Sequence, residues 1–211
     1  MSTSFSFFKG TKGILLTLCL VSTFICVVGL DQVSKIHAHE TLLAWEDAEN
    51  TRAYRGGRHW IGSIGTMDYN PDSSAWYGGL KFQYSRNWGA AFSMLSDMSD
   101  SFRVPFFYGV TVVAIIMIAF YLRGTPLHHH MTRYGLVLIL AGAVGNFIDR
   151  FRLGYVIDFI DVDWKLYLWR HDFAIFNVAD MAINAGVILL ITDLLIHRNE
   201  EQEQETAAAS N

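Results

Sequence analysis

Four apolar stretches alternate with polar segments along the chain, at residues 13–30, 104–122, 134–148 and 175–196. The first three contain no charged residue, whereas the fourth contains Asp180 and Asp193. A helix needs roughly 20 mostly apolar residues to cross the hydrocarbon core of a bilayer. With polar residues admitted at their ends, the stretches predict four transmembrane helices, at about 13–36, 104–122, 134–151 and 175–197.

The polar segments complete the predicted fold class, which is membrane α-helical with four transmembrane helices and a small extracytoplasmic β-rich cradle. Segment 37–103 has glycine-rich turns, and its residues 80–84 alternate in period two, as a half-buried strand does. One membrane-embedded domain is predicted over 1–199, with 37–103 as its insert and 152–174 as a polar connector. The acidic tail 200–211 lacks apolar periodicity, so it is predicted to be disordered.

The orientation of the helices follows from their flanks. Lys9 and Lys12 precede the first helix, and the 123–133 loop carries Arg123 and Arg133 without an acid. Short basic loops stay in the cytoplasm, so both termini are predicted to be cytoplasmic. The six tryptophans all lie in the opposite-side segments, and tryptophan collects at membrane interfaces. These segments are therefore expected to rest on the outer leaflet.

Composition and charge narrow the possible partners. The chain is 52% hydrophobic and 17% charged, with a net charge of -4 and no basic run, so nucleic acid is not expected as a partner. The run His128-His129-His130 has no carboxylate or cysteine near it in the sequence, and no metal or cofactor is predicted. Asp193 and His197, four residues apart, are interpreted as a helix-end pair.

Charged and amide side chains collect at the outer end of the predicted helices. A charge at membrane depth costs about 2.5–3.5 kcal/mol on insertion scales, so such residues are rare and usually functional. The residues concerned are Asp31, Lys35, Asn146, Asp149, Arg150, Asp158, Asn177 and Asp180. Their common depth predicts a functional site. The neighbouring Asp161, Asp163 and Asp172 are interpreted as solvated loop acids, and Asp149 as neutralising Arg150 or tuning the site.

Asp158 and Asp180 both lie in apolar surroundings. Two carboxylates that approach each other in a low dielectric share a proton, so one can act as a general base on water. The protonated partner can then hydrogen-bond to a scissile carbonyl, which is the chemistry of peptide hydrolysis without a metal. The spacing alone leaves a structural ion-pair network as an equal alternative.

Two non-enzymatic classes compete with a protease. A carrier would place polar residues near the midplane and show repeat symmetry or broken helices, and neither is evident. A scaffold subunit would pair its aspartates with a partner's arginines and would tolerate Asp→Asn at one position. Serine and metal membrane proteases are disfavoured because neither Gly-x-Ser-x-Gly nor His-Glu-x-x-His occurs.

Five segments, in order and at the right places relative to four helices, resemble lipoprotein signal peptidase, the signal peptidase II family. They are Asp31-Gln32-Val33-Ser34-Lys35, Asn87-Trp88-Gly89-Ala90-Ala91-Phe92-Ser93, Gly142-Ala143-Val144-Gly145-Asn146-Phe147-Ile148-Asp149-Arg150, Gly154-Tyr155-Val156-Ile157-Asp158-Phe159 and Phe176-Asn177-Val178-Ala179-Asp180. The resemblance covers most of residues 13–196. The segment before Asn87 is longer than usual for the family, which affects the shape of the substrate entrance and leaves every motif intact.

The resemblance implies an aspartyl endopeptidase of the bacterial inner membrane, active near the outer leaflet without a cofactor. Its partners would be membrane lipids and prolipoproteins with a diacylglyceryl-cysteine, cut just before that cysteine, and the chain is expected to be a monomer. By motif position, Asp158 and Asp180 match the catalytic aspartates. The surrounding and substrate-binding residues match Asn87, Asn146, Arg150 and Asn177, and Asp31 matches a supporting aspartate.

Overall fold

The structure is a computed structural model of the 211-residue chain. It describes residues 11–42, 55–65, 77–87, 100–166, 169–172 and 174–209. The elements in chain order are α1 (Thr11–Leu42), β1 (Arg55–Gly65), β2 (Tyr77–Asn87), α2 (Asp100–Gly124), α3 (His130–Leu153), β3 (Val156–Leu166), β4 (Trp169–Asp172) and α4 (Val178–Ala209). The basic flank at Lys9 and the 88–93 part of the Asn87 motif lie outside the described residues.

Each of the four predicted membrane helices corresponds to a helix of the structure. Among the described residues, three helical segments are long and apolar enough to cross a membrane: Thr11–Leu42, His130–Leu153 and Val178–His197. The apolar part of α2, Tyr108–Gly124, is shorter. Large apolar side chains point outward from these helices, with Phe120 71% exposed and Leu194 67% exposed. Such a surface is suited to lipid, so the structure agrees with a membrane protein.

The strands form one antiparallel sheet in the order β1-β2-β3-β4. The strand predicted at 80–84 is confirmed as part of β2. The connector predicted at 152–174 instead contains β3 and β4, which complete the sheet. Asp158 lies in β3, where its register partner on β2 is Ser85, and a register shift interrupts the pairing between Phe82 and Ser85.

The chain divides into two compact units. The helical unit comprises residues 1–29, 109–145 and 179–211, and the sheet unit comprises residues 30–108 and 146–178. In the sheet unit a small apolar core joins α1 to β2 and β3, and its buried members are Ala38, Leu42, Tyr84, Ile157 and Phe159. This core fixes the position of β3, and therefore of Asp158, against the end of α1.

In the helical unit, α3 and α4 approach each other closely at glycines. A Cβ added at Gly135 would lie 2.8 Å from the backbone oxygen of Gly186, and one at Gly142 would collide with the backbone of Ala179. Small residues allow such close approach, which is a common way for helices to associate in membranes.

The structure differs from the sequence expectations at two places. The tail predicted to be disordered is helical in the structure, since α4 continues to Ala209. Its Glu, Gln and Ala residues have high helix propensity, and α4 supplies a preformed helix to extend, so no apolar face is needed. Asp161, Asp163 and Asp172, interpreted as solvated loop acids, lie in β3 or β4, and Asp161 is 7% exposed.

Candidate active site

A buried lysine near the end of α1 is the centre of a polar network in the sheet unit. The Lys35 ammonium lies 2.9 Å from Asp31 Oδ2 and 3.0 Å from Asp149 Oδ2. It also donates a hydrogen bond of 3.0 Å to Asn146 Oδ1. All four side chains are buried. Buried charges are tolerated only when they are paired and hydrogen-bonded, so this lysine determines how the two carboxylates can lie.

Asp149 connects that network to the strand that carries Asp158. Its Oδ1 accepts a hydrogen bond of 3.1 Å from Gln32 Nε2, and its Oδ2 accepts one of 3.1 Å from the backbone N–H of Ile157. The charge partner of Asp149 is thus Lys35, where the sequence had suggested Arg150. Because Ile157 directly precedes Asp158, the Asp149 carboxylate holds the strand at the position next to the candidate catalytic residue.

Both oxygens of Asp158 accept hydrogen bonds from side-chain amides. Asn177 Nδ2 lies 2.6 Å from Oδ1, and Asn87 Nδ2 lies 2.9 Å from Oδ2. The Asp158 carboxylate is 3% exposed. Neutral N–H donors to both oxygens stabilise its negative charge and fix the plane of the carboxylate. The arrangement therefore holds one oriented acid/base group in a nearly water-free position.

Asn177 links Asp158 to the rest of the site. Its side-chain nitrogen also lies 3.2 Å from Asn146 Oδ1 and 3.3 Å from the backbone oxygen of Ile157. Asn177 is fully buried and directly precedes α4. Asp180 follows three residues later, in the first turn of α4, where the helix dipole stabilises a carboxylate. Asp180 belongs to the helical unit and is partly buried.

Arg150 ends the α3 part of the network. Its Nη1 lies 3.5 Å from the backbone oxygen of Asn146, and its backbone oxygen accepts a hydrogen bond of 2.9 Å from Tyr108 Oη. The Arg150 side chain is partly buried, whereas its neighbour Asp149 is buried. A guanidinium at such a position can bind carbonyl or carboxylate oxygens of a bound peptide.

A second set of polar groups lies at the sheet unit's core, of which Tyr84 is a member. His39 Nδ1 is 3.0 Å from Tyr84 Oη, which is 3.3 Å from Tyr155 Oη. Burial, together with the hydrogen bond to Tyr155, raises the pKa of Tyr84 well above its usual value, so this phenol stays neutral. The three groups join α1, β2 and the turn before β3.

The structure brings most of the predicted site residues together. Asp31, Asn87, Asn146 and Asn177 all lie in the network around Lys35 and Asp158, with Arg150 at its edge. Lys35 and Asp149 belong to the polar cluster predicted from the sequence but were given no catalytic or substrate-binding role, and Gln32 was not predicted. The i,i+4 spacing of Asp31 and Lys35 puts both on one helix face and allows their pairing, whereas no local pattern indicates that Gln32 contacts Asp149.

The chemistry of this donor set is unsuited to a metal ion. Two carboxylates facing each other could hold a divalent cation, but here the Lys35 ammonium lies between Asp31 and Asp149. The amides of Asn87 and Asn177 direct N–H donors at the Asp158 carboxylate, and Asn146 Oδ1 already accepts from Lys35 and Asn177. The arrangement can hold an ionised carboxylate and move a proton.

Solved structures of the same architecture are bacterial membrane enzymes. One, determined by the in meso method at 2.3 Å resolution, has a TM-score of 0.61 and 27% identity, and the match covers 86% of this chain and 90% of that chain. Another, determined at 1.9 Å resolution, has a TM-score of 0.58 and 29% identity, and the match covers 89% of this chain and 94% of that chain. The fold and its buried ionisable network therefore define a bacterial membrane enzyme.

Sequence comparison specifies which membrane enzyme this is. The family model described as signal peptidase (SPase) II matches residues 23–196. The lipoprotein signal peptidase of Geobacter sulfurreducens is 48% identical over 130 residues, or 62% of this chain and 78% of the relative. The lipoprotein signal peptidase of Desulforapulum autotrophicum is 33% identical over 184 residues, which are 87% of this chain and 94% of the relative. The chain belongs to the signal peptidase II family, so it is a peptidase.

Proposed function

We propose that this peptidase removes signal peptides from diacylglyceryl-modified bacterial prolipoproteins by cutting just before the lipidated cysteine. Asp158 and Asp180 would together activate the attacking water. Membership of the signal peptidase II family supports the peptidase activity. The similar proteins are lipoprotein signal peptidases, which supports lipoproteins as the substrate class. The aspartyl mechanism rests on the geometry around Asp158.

The observation that carries the mechanism is the double amide clamp on the Asp158 carboxylate. Asp158 accepts a hydrogen bond from Asn177 on Oδ1 and one from Asn87 on Oδ2, so both oxygens of the buried carboxylate are oriented. Neutral donors orient a carboxylate and leave its charge available to a proton, which is what a general base requires.

Asp180 is the second member of the proposed pair. It lies three residues after Asn177, whose side chain contacts Asp158, and it occupies the first turn of α4. In the reaction, one ionised carboxylate takes a proton from water while the water oxygen attacks the carbon of the scissile carbonyl. The other, protonated carboxyl donates to the carbonyl oxygen, so a neutral tetrahedral intermediate forms.

Collapse of that intermediate completes the reaction. The carboxyl that received the proton from water gives it to the nitrogen of the leaving cysteine, and the carbon–nitrogen bond breaks. The second carboxylate recovers its proton from the intermediate's hydroxyl as the new carboxyl group forms. The pair returns to its starting state with one proton shared, and the net change is hydrolysis of one peptide bond.

The other predicted residues have roles that their positions suggest. Arg150 would bind the substrate backbone, since it lies at the edge of the network and carries donors. Asn146 would orient the site, since its Oδ1 accepts hydrogen bonds from Lys35 and Asn177. Asp31 would act through Lys35, which it contacts directly, and it would not touch substrate. Neither a metal nor a cofactor takes part.

The proposed topology has four membrane crossings, with α2 as the fourth in addition to the three longer apolar helices. Both termini would be cytoplasmic in the inner membrane, and the sheet would form an extracytoplasmic cradle beside the outer leaflet. This arrangement puts Asp158, which lies in β3, at the face where exported prolipoproteins arrive. Residues 1–199 would act as one peptidase domain, and the enzyme as a monomer.

Cleavage of three matched substrates tests the substrate class. The purified enzyme is given a diacylglyceryl-modified prolipoprotein, the same precursor without lipid, and a precursor with alanine at the cysteine, and the new N-terminus is identified by mass spectrometry. We expect cleavage of the lipidated form alone, immediately before its cysteine. Equal cleavage of the unlipidated precursor, or cleavage elsewhere, would contradict the proposal.

A further inference from the structure

Two histidines and an aspartate come together in the helical unit, away from the network described above. One ring nitrogen each from His129 and His197 and one carboxylate oxygen of Asp193 all lie within 4.8 Å of one another. His197 Nδ1 is 3.6 Å from Asp193 Oδ1, and His129 Nδ1 is 4.0 Å from Asp193 Oδ2. The pairing of Asp193 with His197 was expected from their spacing, whereas no local pattern predicts His129 beside them, because it lies more than sixty residues earlier in the chain.

The groups that surround the cluster orient its members. Thr132 Oγ1 donates a hydrogen bond to Asp193 Oδ2, which fixes the carboxylate. His197 Nδ1 lies 2.8 Å from the backbone oxygen of Asp193, so it donates there and the ring's lone pair is on Nε2. Outer hydrogen bonds of this kind, from a hydroxyl to the carboxylate and from an imidazole to a backbone carbonyl, are typical around metal ligands.

The loop that presents His129 is also held in place. Arg133, which is 2% exposed, donates from its guanidinium to the backbone oxygens of Thr125 and Pro126. The backbone N–H of His129 bonds to the Pro126 oxygen at 3.2 Å. The imidazoles of His129 and His197 lie with their centroids 4.9 Å apart. His129 is therefore fixed opposite two α4 side chains that are one helical turn apart.

We propose that His129, Asp193 and His197 bind one transition-metal cation of the Zn²⁺ type. Two imidazoles and one carboxylate suit Zn²⁺, Co²⁺, Ni²⁺ or Cu²⁺, whereas Mg²⁺ and Ca²⁺ prefer oxygen ligands alone. Zinc bonds of 2.0–2.1 Å place tetrahedral donor atoms about 3.3 Å apart. The candidate ligand atoms lie within 4.8 Å of one another, so side-chain rotations would bring them to this separation, with Nε2 as the ligand atom of His197. Water would complete the coordination.

A metal at this position would connect the start of α3 to α4 independently of the peptidase chemistry. His129 directly precedes α3, and Asp193 and His197 lie on α4 beyond Gly186, where the two helices are in close contact. The bound cation would act as a clamp at this end of the helix pair. It would stabilise the folded chain, since a ligand that binds only the folded state raises the unfolding temperature.

Metal binding is measured on the full-length protein in detergent, without a histidine tag. Equilibrium dialysis against micromolar Zn²⁺ gives the stoichiometry, and the affinity is compared among wild type, Asp193→Asn, His197→Gln and His130→Gln. We expect one Zn²⁺ per chain and a rise in Kd of at least about tenfold for the first two variants. His130→Gln is the matched control from the same histidine run, and its Kd should equal that of wild type.

A second measurement does not depend on the folding of any variant. X-ray absorption at the zinc edge of the wild-type protein counts imidazole ligands, and two are expected, together with oxygen ligands. Failure of the wild type to retain Zn²⁺ would overturn the proposal. So would three or more imidazoles, or a loss of affinity in His130→Gln equal to that in His197→Gln, because the histidine run alone would then be the ligand.

Discussion

At the scale of single residues, two kinds of buried aspartate occur within one network. Asp31 and Asp149 share the Lys35 ammonium, whereas Asp158 is held by amides. The first arrangement neutralises charge and fixes α1 to α3 and β3, and the second leaves a carboxylate able to exchange a proton. The two amides that orient the Asp158 carboxylate are the geometric support for its proposed catalytic role.

Replacement of Lys35 by methionine should destabilise the protein. The change leaves two buried carboxylates without their cation, a loss of about 3–5 kcal/mol for a broken buried ion pair. Urea unfolding in detergent measures this loss of unfolding free energy. Ser34→Ala, one position away, is the control and should differ little from wild type. Adding Asp31→Asn to Lys35→Met should recover part of the stability, and a Lys35→Met protein as stable as wild type would contradict the account.

Replacement of Asn87 by alanine should lower the rate and leave the fold intact. A hydrogen bond to a charged group contributes about 1.5–3 kcal/mol, so kcat should fall by about tenfold to a hundredfold. Cleavage kinetics of the lipidated precursor give kcat and KM separately. Ser85→Ala, two residues earlier on β2 and in register with Asp158, is the control. Equal kcat values for Asn87→Ala and wild type would show that the amide is not needed.

Most acids and amides of the site could be predicted from the sequence. The contacts between them could not. Asp31, Asn146, Asn177 and Asp158 could be recognised because polar residues are rare in apolar surroundings. The contact between Asn87 and Asp158 joins residues 71 apart in the chain, and that between Gln32 and Asp149 joins residues 117 apart. Such pairs depend on how the elements pack, which no local pattern specifies.

At the scale of elements, the packing of α3 on α4 depends on small residues. A side chain at Gly142 would meet the backbone of Ala179, one residue before Asp180. The contact therefore determines which part of α3 packs against the first turn of α4. Both helices belong to the helical unit at these positions.

Gly142→Ala should lower the unfolding temperature and the cleavage rate together. Overpacking a tight contact costs about 1–3 kcal/mol, because one helix must move away from the other. Thermal unfolding in detergent and cleavage assays measure both effects. Gly29→Ala and Gly109→Ala are matched controls, since a Cβ at either position meets nothing within 4 Å. Their stability should equal or slightly exceed that of wild type, and the same result for Gly142→Ala would contradict the packing argument.

The helices were predictable as elements, whereas the sheet was predictable only in part. Long apolar runs predicted α1 to α4, because such runs are a strong local pattern for helices. The strand at 80–84 alternates, but β3 contains the nearly continuous apolar run Val156-Ile157 and Phe159-Ile160 around Asp158, which does not alternate. Its strand conformation comes from pairing with β2, about seventy residues earlier.

At the scale of the whole molecule, the orientation of α2 decides whether the proposed topology holds. Cys19 and Cys26 are first replaced by alanine, and single cysteines are then introduced as Phe102→Cys and Leu127→Cys, near the two ends of α2. A membrane-impermeant maleimide applied from outside should label only Phe102→Cys. Labelling of both positions from outside would show that α2 does not cross the membrane, and the reverse pattern would invert the topology.

The central claim is that Asp158 and Asp180 act as one catalytic pair, and cleavage by their asparagine variants tests it most directly. The lipidated precursor is given to purified wild type, Asp158→Asn, Asp180→Asn and Asp161→Asn, with thermal unfolding measured in parallel. Asp161→Asn is the matched control, because it changes another buried acid of β3.

We expect Asp158→Asn and Asp180→Asn to fold normally and to lose at least about a thousandfold in kcat, since groups that act as a unit fail together. Asp161→Asn should cleave at close to the wild-type rate. A folded Asp158→Asn or Asp180→Asn protein with a normal rate would contradict the pair and would make that aspartate a structural residue.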